Sequence, residues 1–416
     1  MFILKVKKVT SIVLCLCILI CTFSFGVGAN SASGNLQNKL ITARFSPSGN
    51  TASLSEANVK LTVNTSTYKF YDNLTSAQKA IYNAFVNTRG GLKSSPKGQI
   101  TVNFSSSQTF PVSQLVNNIV AAAAALTDDL PEYFWIYPLP FEYSYTTSGF
   151  LGTTVTSVML TLNCSYIPYN NIAQIESEYN AMLKVVNSFP VSGSTDYEKI
   201  SSIHNGLCSL ASYATNLTDD TSPANSKVFF PSSALLAPYS TVCDGYSKAF
   251  KMICDKNNIP CIIVVGYAGN VGHAWNYVKM DSRWYAIDTT WDDLDDSLSV
   301  CSDEFFMMGA NTRASDGRTF STTHTATGDR YTNVTLTYPD LNTSAYIATS
   351  SDISLFGDAN TDGKVSLMDA KRVLQSVAGS RPLVCAGKLA ADTNRDGSVS
   401  IADAKQILTE VANSAA

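Results

Sequence analysis

The stretch Thr241-Val242-Cys243-Asp244-Gly245-Tyr246-Ser247-Lys248-Ala249-Phe250-Lys251-Met252-Ile253 decides how the larger part of this chain is read. It begins a helix at or just after Cys243. A thiol at a helix N-terminus meets the positive end of the dipole and free backbone N–H groups, both of which favour the thiolate. The same N–H groups suit an oxyanion. Cys254, late in this helix, and Cys261, in the apolar strand Cys261-Ile262-Ile263-Val264-Val265, have no such setting.

A cysteine nucleophile needs a base, and the chain has three histidines, His204, His273 and His324. His204 falls on a helix in Ile203-His204-Asn205. His273 falls in the alternating strand Val271-Gly272-His273-Ala274-Trp275-Asn276-Tyr277-Val278. Lys279-Met280-Asp281-Ser282-Arg283 then turns into Trp284-Tyr285-Ala286-Ile287-Asp288. A hairpin turning near Met280 and Asp281 sets His273 opposite Asp288 on one face, within hydrogen-bond reach. A carboxylate there fixes the imidazole tautomer. A lone cysteine is more often buried or disulfide-bonded, and a lone histidine more often structural. The order Cys, His, Asp on helix start, strand and next strand is what carries the assignment.

At the N-terminus, Lys5, Lys7 and Lys8 precede an apolar run from about Ser11 to Val27 and the small-residue pattern Val27-Gly28-Ala29. This reads as a cleaved secretory signal. The bulky residues before Cys15, Cys17 and Cys21 argue against a lipid anchor. Without the leader, 26 basic residues face 33 acids, a net charge of about −7. With no basic cluster, nucleic acid and anionic membranes are poor partners. Seven cysteines remain, Cys164, Cys208, Cys243, Cys254, Cys261, Cys301 and Cys385. An odd number outside the cell leaves one unpaired within the chain.

Residues 30–66 are a polar spacer rich in Ser, Thr, Asn and Gly. Patterning beyond Tyr68 predicts a helix capped by Ser76, a second over Ser113–Leu126, a strand over Val155–Tyr166, and helices over Ile172–Phe189 and Asp196–Leu210. The acidic run Asp292-Asp293-Leu294-Asp295-Asp296 reads as a solvated loop. Residues 337–355 are a connector, after which the composition changes.

Asp358-Ala359-Asn360-Thr361-Asp362-Gly363-Lys364-Val365-Ser366-Leu367-Met368-Asp369 puts oxygen ligands at loop positions one, three, five and twelve, with a glycine at the sharp turn. Asp392-Thr393-Asn394-Arg395-Asp396-Gly397-Ser398-Val399-Ser400-Ile401-Ala402-Asp403 repeats it position for position. Oxygens at this spacing wrap Ca2+. Lys364 and Ser398 would each give a carbonyl, and Ser366 and Ser400 would reach the ion directly or through water. Two ions are expected, each loop being followed by an amphipathic helix.

The tandem loop–helix, with Asp at position twelve, resembles a type I dockerin of cellulosomal proteins over residues 356–413. The resemblance implies calcium-dependent folding and docking onto a scaffoldin cohesin through Leu367, Met368, Lys371 and Arg372, matched by Ile401, Ala402, Lys405 and Gln406. Apolar residues replace the Ser/Thr pair common at these positions. The motifs around Cys243, His273 and Asp288, with Asp129-Leu130-Pro131-Glu132-Tyr133-Phe134-Trp135 and the His204 helix, resemble the bacterial transglutaminase-like core from about Tyr68 to Leu336. This resemblance implies a papain-like α+β fold with a helical N-terminal extension, Cys243 as nucleophile, His273 as base and acid, and Asp288 as orienting carboxylate. His204 and His324 are expected in structural or rim roles, and catalysis needs no cofactor.

The expected layout is a signal at 1–29, spacer at 30–66, transglutaminase-like domain at 67–336, linker at 337–355 and all-α dockerin at 356–416. It describes a secreted cysteine acyl-transfer enzyme on a protein or peptide substrate. A non-catalytic module of the same fold is the main alternative. A glycoside hydrolase is weaker, since it would need carboxylates paired across a sugar site.

Overall fold

The structure is a computed structural model describing residues 41–44, 59–94, 97–136, 139–149, 152–215, 227–295, 300–329 and 334–414. The expected signal at 1–29 lies outside them.

The N-terminal part holds β1 (Ile41–Arg44), β2 (Val59–Thr62), α1 (Ser76–Asn87), β3 (Gln99–Asn103), β4 (Phe110–Pro111), α2 (Leu115–Asp129), β5 (Phe141–Ser148) and β6 (Thr154–Leu162). Strands β1, β5, β6 and β3 form an antiparallel sheet, with β4 also on β6. Helix α2 is apolar almost all round, and every residue from Ile119 to Asp129 is buried, as such a helix must be. Helix α1 packs against it. The cap of α1 is Thr75, not Ser76: Thr75 and Gln78 close a capping box. The expected start of α2 at Ser113 is a 3-10 turn, Val112–Gln114, so α2 begins two residues later and has no side-chain cap. The predicted strand to Tyr166 stops at Leu162 and is followed by a 3-10 turn over Cys164–Tyr166.

The second part runs α3 (Ile172–Ser188), α4 (Asp196–Leu210), β7 (Ser212–Tyr213), α5 (Pro231–Leu235), β8 (Ser240–Thr241), α6 (Cys243–Lys256), β9 (Cys261–Ala268), β10 (Val271–Met280), β11 (Arg283–Ile287), α7 (Thr289–Asp292), β12 (Asp293–Asp295), β13 (Val300–Cys301), α8 (Phe320–Thr323), β14 (His324–Ala326) and β15 (Val334–Thr337). Its centre is an antiparallel sheet in the order β11-β10-β9-β14, with α6 packed against β9 and β10. Helix α6 is buried from Cys243 to Cys254. Lys248 inside it is neutralised by Asp244 Oδ2 at 2.5 Å and donates to Phe229 O at 3.1 Å. Gly245 is required by close approach, because a Cβ there would lie 1.9 Å from Thr241 Oγ1. Strand β15 pairs in parallel with β2, so residues 59–62, inside the stretch read as spacer, close this part of the fold.

The hairpin register differs from expectation by two residues. Met280 pairs with Arg283 and Asn276 with Ile287, so the same register sets Asp288, the residue after β11, opposite Trp275. The turn is the two-residue pair Asp281-Ser282, both with positive φ (47° and 65°). Such a turn matches the twist of the strands it joins. His273 and Asp288 thus become same-face diagonal neighbours, which two side chains of this length still span.

The dockerin region is helical: α9 (Leu367–Val377), α10 (Cys385–Ala390) and α11 (Ile401–Ser414). Helices α9 and α11 pack together over Ala370, Val373, Ala404 and Ile407. Helix α10 joins the core of the large domain through Cys385, Ala386 and Ala390. Cys385 N donates to Asp303 Oδ2 at 3.3 Å and Ala386 N to Ser201 Oγ at 3.0 Å. The connector is held too: Asn342 N donates to Trp284 O at 2.8 Å and Tyr346 N to Met307 O at 3.0 Å.

Candidate active site

Cys243 is the first residue of α6, and its N-cap, Val242, offers no side-chain acceptor to the N–H groups of the first turn. The thiol is 2% exposed and packs with Ile263, Val265 and Ala274, so it lies against the strand that carries His273.

His273, 7% exposed, stands on β10 with Trp275 and Trp291 beside its ring. Its Nε2 lies 2.6 Å from Asp288 Oδ2. Asp288 is fully buried and caps α7, its Oδ1 accepting Thr290 N at 3.1 Å and Trp291 N at 3.2 Å. Burial alone would raise its pKa, but the imidazoles of His273 and His324 overcome this and hold the carboxyl well below the usual carboxylate range. A carboxylate kept ionised beside an imidazole stabilises imidazolium when the ring takes a proton.

The second imidazole on Asp288 is that of His324, for which the sequence offered a structural or a rim role, and its place is not at a rim. His324 is buried, the first residue of β14, and its Nε2 lies 3.0 Å from the same Asp288 Oδ2. Pairing of β14 with β9, His324 opposite Ala268, brings it there. No local periodicity links positions 288 and 324. The one available signal was scarcity, since both other histidines also end on aspartates.

His204 has a structural setting, as expected. Its Nε2 lies 3.1 Å from Asp292 Oδ2, both side chains being fully buried. Asp292 also accepts Phe305 N at 3.0 Å, and its burial raises its pKa. The acidic run is therefore not a simple solvated loop: Asp292 faces inward, and Asp293 accepts the Tyr246 hydroxyl. A disulfide joins Cys208 of α4 to Cys301 of β13, with His204 Nδ1 3.3 Å from Cys301 Sγ. Asn276 Nδ2 donates to Ser247 O at 3.0 Å and Ile262 O at 3.3 Å, tying α6 to the sheet.

Outside the large domain, two loops share one hydrogen-bond pattern. Asp358 accepts Asp362 N at 3.0 Å and Gly363 N at 2.8 Å, and Asp392 accepts Asp396 N at 3.1 Å and Gly397 N at 2.8 Å. Asp369 Oδ1 holds Asn360 N at 3.0 Å, as Asp403 Oδ1 holds Asn394 N at 3.3 Å. Gly363 and Gly397 turn with φ of 85° and 87°. The donors are all hard oxygens, and Asp358 is pushed up to about 6 by burial and by the neighbouring Asp369 and Asp362 charges. A divalent cation relieves such crowding, so the residues fit Ca2+. Ser366 and Ser400 also cap the following helices, accepting Met368 N and Ala402 N at 3.1 Å each.

On the dockerin helices, Leu367, Met368 and Ile401 are 62%, 56% and 65% exposed, with Lys371, Ala402 and Lys405 also exposed. Arg372 donates to the carbonyls of Arg381 (2.6 Å) and Pro382, and Gln406 Nε2 to Glu410 Oε1 at 3.2 Å.

Residues 184–289 match the transglutaminase-like superfamily and residues 356–411 the dockerin type I domain. The chain carries a transglutaminase-like domain followed by a type I dockerin domain, and it is a dockerin-bearing transglutaminase-like protein. Among curated proteins it is similar to kyphoscoliosis peptidase of Homo sapiens (26% identity over 131 residues, 27% of this chain and 19% of that protein). The Mus musculus protein of that name matches at 27% identity over 109 residues, 23% of this chain and 16% of that one. This chain therefore spans less than a fifth of either relative. Solved structures with partial likeness are a TGase (14% identity, TM-score 0.26, 58% of this chain and 61% of that one) and a putative cysteine protease from Cytophaga hutchinsonii (14%, 0.19, 35% and 56%). Type I dockerins bind calcium, and a dockerin implies a cohesin partner. Among the described residues no helix is long and apolar enough to cross a membrane.

Proposed function

We propose that this chain is a secreted cysteine acyl-transfer enzyme, attached to a scaffoldin cohesin by a dockerin that binds two Ca2+ ions, one in each loop. The observation that carries the reading is the buried 2.6 Å contact of His273 Nε2 with Asp288 Oδ2, on a sheet whose packed helix begins with Cys243. That contact sets the imidazole proton on Nε2 and leaves Nδ1 as the basic nitrogen. Nδ1 takes the Cys243 proton, and the thiolate attacks the carbonyl carbon of a carboxamide or peptide. The tetrahedral oxyanion is held by N–H groups at the start of α6. His273 then returns the proton to the departing amine, and a thioester remains on Cys243. Water or a second amine, deprotonated by His273, attacks the thioester and restores the thiol. Hydrolysis of a peptide makes the enzyme a peptidase, hydrolysis after a glutamine carboxamide a deamidase, and transfer to an amine a transglutaminase. Calcium would be held by Asp358, Asn360, Asp362, Lys364 O, Ser366 and Asp369, and by Asp392, Asn394, Asp396, Ser398 O, Ser400 and Asp403. It would order the loops that present Leu367, Met368 and Ile401 to the cohesin.

The test is mass spectrometry of a glutamine-containing peptide library incubated with the protein and with Cys243→Ala, with and without a primary amine. Amine adducts, cleavage or Gln-to-Glu conversion absent from the variant would support the reading and choose among its three forms. Turnover that persists in Cys243→Ala would remove the cysteine from the chemistry, and none across varied peptides would favour a non-catalytic module of this fold.

A further inference from the structure

We propose that His324 is a positioning residue for the Cys243–His273–Asp288 chemistry: its Nε2–H, 3.0 Å from Asp288 Oδ2, fixes the carboxylate oxygen that His273 uses. This deepens the cysteine reading and rests on it.

Asp288 has four donors around it. Oδ1 takes Thr290 N and Trp291 N, and Oδ2 takes both imidazoles. Of the two rings, that of His324 is the better anchored. It stacks on Phe320 with centroids 4.2 Å apart and planes at 5°, and its Nδ1 lies 2.9 Å from Thr323 Oγ1. Its backbone is held in β14 against β9. Trp275, Trp291 and Phe305 close round it. Burial disfavours its charged form, with Asp288 acting the other way, and its pKa is lowered. A neutral ring with its proton on Nε2 donates to Asp288, while its Nδ1 lies beside the Thr323 hydroxyl, which also reaches Phe320 O at 3.0 Å.

His273, by contrast, must accept and release a proton in each turnover while its partner stays in place. Thr290 N and Trp291 N hold the carboxylate from its Oδ1 side, and without His324 the Oδ2 side would be held by His273 alone. With His324 donating from a rigid ring to the same oxygen, the direction of the acceptor is set before His273 moves. This is preorganisation of the kind that orienting groups supply.

Two variants separate the donor from the ring. His324→Phe keeps an aromatic ring on Phe320 and loses the N–H, whereas His324→Gln keeps an N–H that reaches the position of Nε2. The site is closed, so the probe is small: iodoacetamide at pH 7, followed by mass spectrometry of the Cys243 peptide, with the half-buried Cys164 of the same chain as reference. His324→Phe is expected to slow Cys243 alkylation about 10-fold to 100-fold, the usual weight of one hydrogen bond to a charged group. His324→Gln should stay within about threefold of the parent, and Cys164 should be unaffected. If His324→Phe does not fold, Thr323→Val tests the same ring from its other side and should slow Cys243 at least about threefold. Unchanged Cys243 rates in a folded His324→Phe or Thr323→Val chain overturn the role of His324 alone. A parent chain whose Cys243 reacts no faster than Cys164 overturns the cysteine reading itself. A stoichiometric transition metal in the purified chain, lost in His324→Phe, also overturns positioning, because His273, Asp288 and His324 would then be ligands.

Discussion

Ser354 is bound to Glu198 from both its backbone and its side chain: the N–H donates to Oε1 at 2.7 Å, and the hydroxyl lies 2.9 and 2.7 Å from Oε1 and Oε2. The same carboxylate receives Ser194 N at 2.8 Å and Thr195 N at 3.0 Å in the capping box of α4. One side chain thus fastens both the start of α4 and the segment leading into the loop at 358–369.

This contact predicts a pH effect. Burial would raise the Glu198 carboxyl, but the bonds from Ser354, Thr195 and Ser194 outweigh it and lower its pKa. A depressed folded pKa stabilises above the unfolded value, about 4.3 for Glu, and that stability is lost as pH falls through the folded value. Thermal unfolding followed from pH 7 to pH 3 should show less acid sensitivity in Glu198→Gln than in the parent. Equal slopes would count against the contact.

Asp288→Asn should leave the fold standing and nearly abolish turnover. An amide neither fixes the tautomer of His273 nor stabilises its charged form, and loss of such a carboxylate costs on the order of 10⁴ in kcat. The measurement is kcat with unchanged near-UV circular dichroism. Retention of a tenth or more of the parent rate would contradict the assigned role.

Calcium stoichiometry should follow the loops separately. Titration calorimetry of chelator-treated protein is expected to give two sites, with Asp358→Ala and Asp392→Ala each losing one, since each removes a carboxylate from a different loop. Both variants should keep the chemistry of the large domain. One site in the parent would mean that a loop is closed by its own hydrogen bonds without an ion.

Docking should depend on the exposed apolar residues that open the two dockerin helices. Leu367→Asp and Ile401→Asp place a charge where a partner would have to desolvate it. Together they should weaken cohesin binding more than about tenfold with calcium affinity intact. Unchanged binding on a sensor surface would move the interface elsewhere.

Much of this molecule is legible in its sequence because the informative spacings are short. Helix α4 has the bounds predicted from Asp196 and Leu210, and the paired loops at 358–369 and 392–403 follow from twelve-residue patterns. That Cys243 opens a helix and that a hairpin brings His273 to Asp288 could be read, because both relations are local. The register could not, since it turned on whether Ser282 would take positive φ beside Asp281. Asp292 looked solvated in a run of acids, and only the tertiary approach of His204 and Phe305 N makes its burial tolerable. His324 arrives on a returning strand, and no local rule connects that strand to Asp288.

Helix α10 bears on how the large domain would be carried. By seating Cys385, Ala386 and Ala390 in that domain, it adds a packed contact to the covalent connection. An enzyme on a loose leash sweeps a sphere of substrate around its point of attachment. An enzyme packed against its own docking module would sweep less, so the place it took on a scaffold would also set which neighbours its thiol could face.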